Sequence, residues 1–333
     1  MKKIRTPQEG AGAALSAGST TTSNRTLQTP PEGVLSGFSA TAEQFIAASQ
    51  SAATKRAYAS DLKHFFANGG AIPASPVVLA EYLARCAEKL SAATLERRLT
   101  AIHKAHLEKS LESPARSETV KRVMQGIRRT LGTKQRQVQP MVKDDLLAAL
   151  VMIDRQKMPI KAARDRALLL VGFASAMRRS ELVAVRVEHL TYLTNGVEIF
   201  LPSSKTDQEG QGREVAIPRI RGRFCPCRCL SEWLSAAGIQ EGAVFRSINR
   251  FDQASSQRLS GQSVALIIKR HVQRIGLDPE NFSGHSLRAG FVTTAAQRGV
   301  ASSTIRNQTG HKSDVTLVKY IRRTTQRAIP SLL

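Results

Sequence analysis

Acidic side chains are scarce in this chain: 333 residues hold 26 Asp and Glu against 49 Lys and Arg. The formal net charge is +23, with an isoelectric point near 10.7. Such an excess excludes most acidic-surface roles and calls for a polyanionic partner, most simply nucleic acid. Long hydrophobic runs are also missing. No stretch of about 18 apolar residues could span a bilayer, and the N-terminus lacks the apolar core of a secretion signal. We expect a soluble, cytosolic protein with no membrane partner. Cysteine is rare: Cys86, Cys225, Cys227 and Cys229 are all there is. They form no disulfide framework, which fits a reducing compartment. Three of them lie in "CPCRC". Zinc sites usually pair cysteines about two to four residues apart, with a second pair elsewhere. Here the three alternate with other residues and no second cluster exists, so the plainer reading is a loop entering the helix "LSEWLSAAG". Tyrosine is scarce as well, which confines any tyrosine chemistry to Tyr58, Tyr82, Tyr192 or Tyr320.

What is present is enough for a core. Apolar residues make up 41% of a chain long enough for two domains. Residues 1–35 are rich in Ser, Thr, Gly, Ala and Pro without apolar periodicity, and we expect a disordered tail. Residues 36–132 repeat apolar side chains at three- and four-residue intervals in "TAEQFIAASQ", "AATKRAYASDLKHFFANG", "SPVVLAEYLARCAEKL", "SAATLERRLTAIHKAHLEKS" and "RSETVKRVMQGIRRTLG". Several begin with Ser or Thr caps, so the spacing predicts a helical bundle. "TKQRQVQP", at 133–140, is polar, basic and Pro-terminated, and reads as a linker.

Residues 141–333 return to helices in "VKDDLLAALVMID" and "KAARDRALLLVGFASAM". One strand region follows. Asn195-Gly196 is a hairpin signal, and "VEIFL" and "EVAIP" flank a Gly-rich turn. Helices are expected from there to the end. The fold class is therefore mostly α: an N-terminal helical bundle, then an α+β domain with one small antiparallel sheet. Both halves carry a surplus of Lys and Arg, so two basic lobes joined by a linker could close around a duplex.

Four short stretches carry possible chemistry. In "LLLVGFASAMRRSELVAV", Arg178 follows a nearly all-apolar run, and a guanidinium at the edge of a core needs an anion. Glu181 could supply it as an ordinary pair three residues on; alternatively Arg178 is a fork poised for a phosphate. Lys205 lies at a hairpin tip, where a lysine is ordinarily solvated. In "NFSGHSLRAGFVTTAAQRG", Ser283 reads as a helix N-cap and Gly299 as the residue past its end. His285 and Arg288 then share one face of the first turn, where anions are favoured. In "NQTGHKSDVTLVKYIRR", Gly310 ends a helix before His311, and Ser313 caps another with Leu317 and Ile321 as apolar anchors and Tyr320 beside that stripe.

Taken together and in order, Arg178, Glu181, Lys205, His285, Arg288, His311 and Tyr320 resemble the signature of the tyrosine recombinase (phage integrase) family. The N-terminal half resembles its core-binding domain through "SAATKRAYASDLKHF" and "SAATLERRLTAIHKAH". "SGHSLRAG" and "KYIRR" look close to the Cre-like branch, from which His311 departs, Cre having Trp there. The resemblance spans about residues 36–330. It implies a SAM-like core-binding domain at 36–132, a catalytic domain at 141–333, double-stranded DNA as substrate, and a homotetramer on synapsed DNA.

It also implies roles. Arg178 and Arg288 would hold the non-bridging phosphate oxygens by charge-assisted bonds. His311 would join that oxyanion site, and Glu181 would orient His or Arg groups. His285 would either take the Tyr320 proton or position the phosphate. Tyr320 would attack to form a 3′-phosphotyrosine, and Lys205 would protonate the leaving 5′-oxygen. One ester replaces another, so no cofactor is implied. Apart from the resemblance, an apolar "IPSLL" tail has little reason to exist on a monomer, and we expect it to dock on a neighbouring protomer. Three alternatives stay open. One is a DNA-binding regulator without catalysis. Another is a topoisomerase or resolvase sharing the cleavage step. The third is a metal-dependent nuclease using Asp207, Glu209 and Glu214. Arg97 and Arg98 could face a DNA groove or merely a solvated surface.

Overall fold

The computed structural model describes residues 39–133, 137–202 and 211–311, together with Ser313, Asp314 and Leu317. Lys205, Asp207, Glu209, Tyr320 and the C-terminal tail lie outside the described residues. The chain divides into two compact units, Met1–Gln135 and Arg136–Leu333.

The first unit is made of α1 (Ala40–Ala48), α2 (Ala52–Ala67), α3 (Pro76–Ala87), α4 (Ala92–Leu107) and α5 (Glu118–Leu131). Each starts at a serine whose hydroxyl accepts a backbone N–H three residues on: Ser39, Ser51, Ser75, Ser91 and Ser117. These bonds satisfy donors that the helix itself leaves unpaired. Phe65, Leu79, Tyr82, Leu83, Leu95, Ile102 and Met124 form the core. Of the two arginines of "LERRL", only Arg98 is withdrawn from the surface. Arg98 is buried and donates to the Tyr82 hydroxyl at 3.1 Å and to His64 Nδ1 at 2.9 Å. Arg97 grips buried Asp61 with two bonds of 2.8 Å. Both guanidiniums compensate one carboxylate that has lost its water. Burial pushes the Tyr82 phenol up to about 12.

The second unit opens with an extended segment. Gln139 N–H donates to Asn281 O at 2.7 Å and Met141 N–H to Ser286 O at 2.9 Å. Then come α6 (Lys143–Asp154) and α7 (Pro159–Ala174). From Ala162 to Gly172 α7 is buried save Arg166, as its apolar run predicts. It packs against α6, against α9 (Pro226–Ala236) and against α11 (Ser286–Gln297). Between them lie α8 (Arg179–Ala184), β1 (Leu190–Leu193), β2 (Gly196–Leu201) and β3 (Arg213–Pro218). The three strands form an antiparallel sheet in the order β1-β2-β3. Its register makes Thr194 and Asn195 the two-residue turn, with Gly196 already paired to Leu193. Gly196 is needed because a Cβ there would lie 2.3 Å from Ile217 O on β3.

A second sheet, absent from the sequence reading, joins β4 (Arg246–Ile248) and β5 (Ala254–Arg258). Its strands are short and polar, so no apolar alternation marks them. Side-chain bonds hold its turn: Asn249 Oδ1 accepts from Phe251 N–H and Gln253 N–H. Asp252 at that turn accepts from Ile160 N–H and Lys161 N–H at 2.8 and 2.9 Å. It thereby caps α7, whose own preceding residue Met158 offers no side-chain cap. α10 (Gly261–Arg274) and α12 (Ser302–Thr309) complete the labelled elements. A buried chain ties α10 to α7: His271 Nε2 lies 2.8 Å from Asp165, which also takes Arg164.

The cysteine cluster is not a loop before the helix, as the plainer reading expected, but forms the helix start itself. Cys225 is the N-cap of α9, and all three sulfurs are buried. Cys227 and Cys229 donate to the carbonyls of Ile217 and Arg223. Among the described residues no group of three or more His, Cys, Asp or Glu could hold a metal ion. Nor is any described helix long and apolar enough to cross a membrane.

Candidate active site

The site is assembled at the end of α7. Ser175 and Ala176 close that helix in the core, with Ala176 in the left-handed region at φ 49°. A β-carbon there costs about 1–2 kcal/mol. The turn aims the Ala176 carbonyl at Arg288, whose Nη1 donates to it at 2.8 Å. Arg178 follows as the N-cap of α8. Its amide donates to Glu181 Oε2 at 3.0 Å and its Nη1 to Glu181 Oε1 at 2.6 Å. The expected Arg178–Glu181 pair is thus real, and it fixes the fork at the edge of the core.

Glu181 holds a second cation that sequence reasoning missed. Arg213 Nη2 lies 3.4 Å from Glu181 Oε2, and its Nη1 donates to Gln308 O at 3.1 Å. The signal was available: on β3, Arg213 alternates in step with buried Val215 and Ile217. It sits on the inner face opposite Leu201. Glu214 points to the other face and is exposed. Of the three carboxylates in the nuclease alternative, it is the one within the described residues, and it turns away from this cluster.

"GHSLR" is placed differently from the sequence reading. The helix α11 begins at Ser286, so its N-cap is His285 and not Ser283. Ser283 instead closes the preceding turn, accepting from His285 N–H at 3.1 Å while its own N–H donates to the Ser286 hydroxyl. His285 is exposed at the helix start and Arg288, one turn on, is buried. Gly290 lets the entering segment pass, for a Cβ would fall 1.8 Å from Met141 O. Gly299, at φ 72°, follows the helix as expected.

His311 closes the cluster. Gly310 ends α12 in the left-handed region, at φ 67°. His311 Nε2 is then 2.8 Å from Arg288 Nη2, and Nδ1 2.8 Å from Thr309 Oγ1. Arginine only donates, so Nε2 is the acceptor and the proton resides on Nδ1. The Thr309 hydroxyl in turn donates to Ile305 O at 2.7 Å. The imidazole is held neutral. Burial first, then the guanidiniums of Arg288, Arg178 and Arg213, press its pKa down to about 4. After His311, Asp314 and Leu317 are helical, and Leu317 packs with Val292, Ala295 and Ile305.

The structure therefore gives two hydrogen-bonded groups, Arg178 and Arg213 on Glu181 and Arg288 on His311, and puts His285 at the start of the helix that carries Arg288. Chemically it is a partly open nest of cations with one carboxylate to orient them, suited to a phosphate diester. The model of the phage integrase family matches residues 141–327.

The chain belongs to the phage integrase family. It is 40% identical over 277 residues to the integrase/recombinase xerD homolog of Selenomonas ruminantium, covering 80% of this chain and 81% of that one. Among solved structures it resembles the XerH site-specific recombinase bound to a palindromic difH substrate. There the TM-score is 0.59 at 21% identity, over 80% of this chain and 74% of that one. It also resembles lambda integrase bound to DNA, with a TM-score of 0.60 at 15% identity over 88% and 97% of the two chains. At those identities the two structures speak for the fold, and the mostly helical architecture with small antiparallel sheets is that of the phage integrases. The sequence relative is Xer-type, so family membership stands while the finer Cre-like placement rests on motifs alone.

Proposed function

We propose that this chain is a site-specific tyrosine recombinase that cuts and rejoins DNA strands through a covalent 3′-phosphotyrosine. The observation that carries this reading is the pairing of two guanidiniums, Arg178 and Arg213, on buried Glu181 together with the Arg288–His311 pair. Such a cluster suits a singly charged phosphodiester whose transition state gathers more charge on its non-bridging oxygens. Arg178 and Arg288 hold those oxygens, and Glu181 keeps Arg178 and Arg213 in register. His311 joins that oxyanion site by family likeness, held against Arg288. Tyr320 is the nucleophile, three residues past the Leu317 anchor. His285 is the group available to take the phenol proton, and Lys205 protonates the leaving 5′-oxygen. Exchange of one phosphoester for another of similar energy requires neither ATP nor a metal.

The N-terminal unit, 36–132, serves as the core-binding domain, and 141–333 as the catalytic domain, with 133–140 as their linker. Both bind double-stranded DNA in the cytoplasm. Strand exchange between two duplexes needs four nucleophiles, so a homotetramer forms on synapsed DNA. The Cre-like affinity rests on "SGHSLRAG" and "KYIRR".

The test uses a pool of nicked duplexes of randomised sequence in EDTA, where the broken strand cannot religate. Wild-type protein should give an SDS-resistant conjugate, and the trapped DNA would report the target sequence. Tyr320→Phe should still bind the pool and give no conjugate. A conjugate from Tyr320→Phe, or its loss in EDTA, refutes the mechanism.

A further inference from the structure

Next to Arg178 stands a second arginine that the catalytic set does not use. Arg179 is the first residue of α8 and is exposed. Among the described residues it has no hydrogen-bond or ion-pair partner. Its stem, however, is not loose. It runs through a slot between Gly284, just before His285, and Gly261, the first residue of α10. A Cβ on Gly284 would lie 2.6 Å from Arg179 Cδ and 3.2 Å from its Cβ. A Cβ on Gly261 would meet the same stem at 3.6 Å. Neither glycine has a left-handed φ, so backbone conformation does not require glycine at either place. Room for the arginine stem requires it at Gly284, while Gly261 lines the other side at ordinary contact distance.

An exposed arginine ordinarily keeps its rotamer freedom and makes no defined contact, and immobilising it on binding costs entropy. Here the methylene stem is already fixed while the charged end is left without an anion. The slot starts within one residue of both Arg178 and His285. The fork thus emerges beside the phosphate cluster, on the side of the α11 start. Its neighbour Arg178 is already engaged with Glu181, and Arg288 with Ala176 and His311.

We infer that Arg179 is a DNA-backbone contact, holding a phosphate beside the scissile one. This rests on the reading of the site given above. Its function is positioning: it fixes where the duplex lies relative to Arg178 and Arg288 and reads no base.

The experiment is fluorescence anisotropy of the full chain with short labelled duplexes of several unrelated sequences, across a series of KCl concentrations. One phosphate contact contributes about −0.9 to the log–log salt slope, hence about an eightfold change in Kd at roughly 0.1 M salt. Arg179→Ala should lose about that slope and bind about eightfold more weakly on every sequence alike. Arg179→Lys should keep the slope. Gly284→Ala should weaken binding when Arg179 is present and add nothing when it is alanine. An unchanged slope in Arg179→Ala overturns the inference, as does a loss confined to one duplex sequence, which would mean base reading. Wild-type protein with no salt-dependent duplex binding would instead remove the phosphate reading of the whole site.

Discussion

Gly290→Ala is the sharpest packing test of the site. Gly290 lies mid-helix in α11, where alanine is ordinarily better by about 1 kcal/mol. Here the new Cβ would sit 1.8 Å from Met141 O and 2.6 Å from Met141 C, both backbone atoms. The entering segment must then retreat by about 1.5 Å or more to reach ordinary contact distance. That breaks the Met141 N–H bond to Ser286 O, worth about 0.5–1.5 kcal/mol net. It also drags the fully buried Met141 side chain out of register, for about 1–3 kcal/mol of misfit. Offset by the helix gain, the net loss is about 0.5–3.5 kcal/mol, and it falls in the helix that carries His285 and Arg288 at its start. Trp233, the single tryptophan, is buried in the C-terminal core and reports that unit's urea unfolding by fluorescence. Gly126→Ala is the counterpart: mid-helix in α5 with nothing within 4 Å of its would-be Cβ. It should stabilise the N-terminal unit by up to about 1 kcal/mol, followed by far-UV circular dichroism. If Gly290→Ala matches the wild type in midpoint, the backbone contact does not exist as described.

Two further outcomes follow from the cation cluster. Glu181→Gln keeps the shape but removes the charge that orients Arg178 and Arg213. A hydrogen bond to a charged group is worth about 1.5–3 kcal/mol, so DNA cleavage should slow on the order of tenfold to a hundredfold; an unchanged rate would mean that the carboxylate orients nothing. His311, with a folded pKa of about 4 against about 6.5 when unfolded, stays neutral while the unfolded chain takes up a proton. Stability is therefore lost as pH falls from about 6.5 to 4, by about 1–2 kcal/mol once its partial exposure to solvent is allowed for. His311→Gln should flatten that part of the urea-midpoint profile, and a profile as steep as the wild type's would refute the assignment.

Where an element is written locally, the sequence was enough to find it. The serines at 39, 51, 75, 91 and 117 each precede a three-four apolar rhythm, and each caps a helix through its own hydroxyl. Gly299 and Gly310 mark helix ends because their positive φ disfavours a side chain. Alternating Val197, Ile199, Val215 and Ile217 announced the β2–β3 pair. The β4–β5 hairpin escaped notice because side-chain bonds of Asn249, rather than apolar alternation, hold its turn. The start of α11 was misread because Ser283 has the composition of a cap but uses its oxygen within the preceding turn.

Likeness to the phage integrase family in residue order nominated Arg178, Glu181, Lys205, His285, Arg288, His311 and Tyr320 together. Only the tertiary structure decided what each charge faces. It turned Arg98 inward to His64 and Tyr82, tied exposed Arg97 to buried Asp61, and brought Arg213 from the sheet to Glu181. It left Arg179 threaded between two glycines more than 20 residues apart. The physical reason is that caps and periodicity are set by neighbours within a turn or two. The partner of a charge is whatever the folded chain brings within about 3 Å, from any distance in sequence.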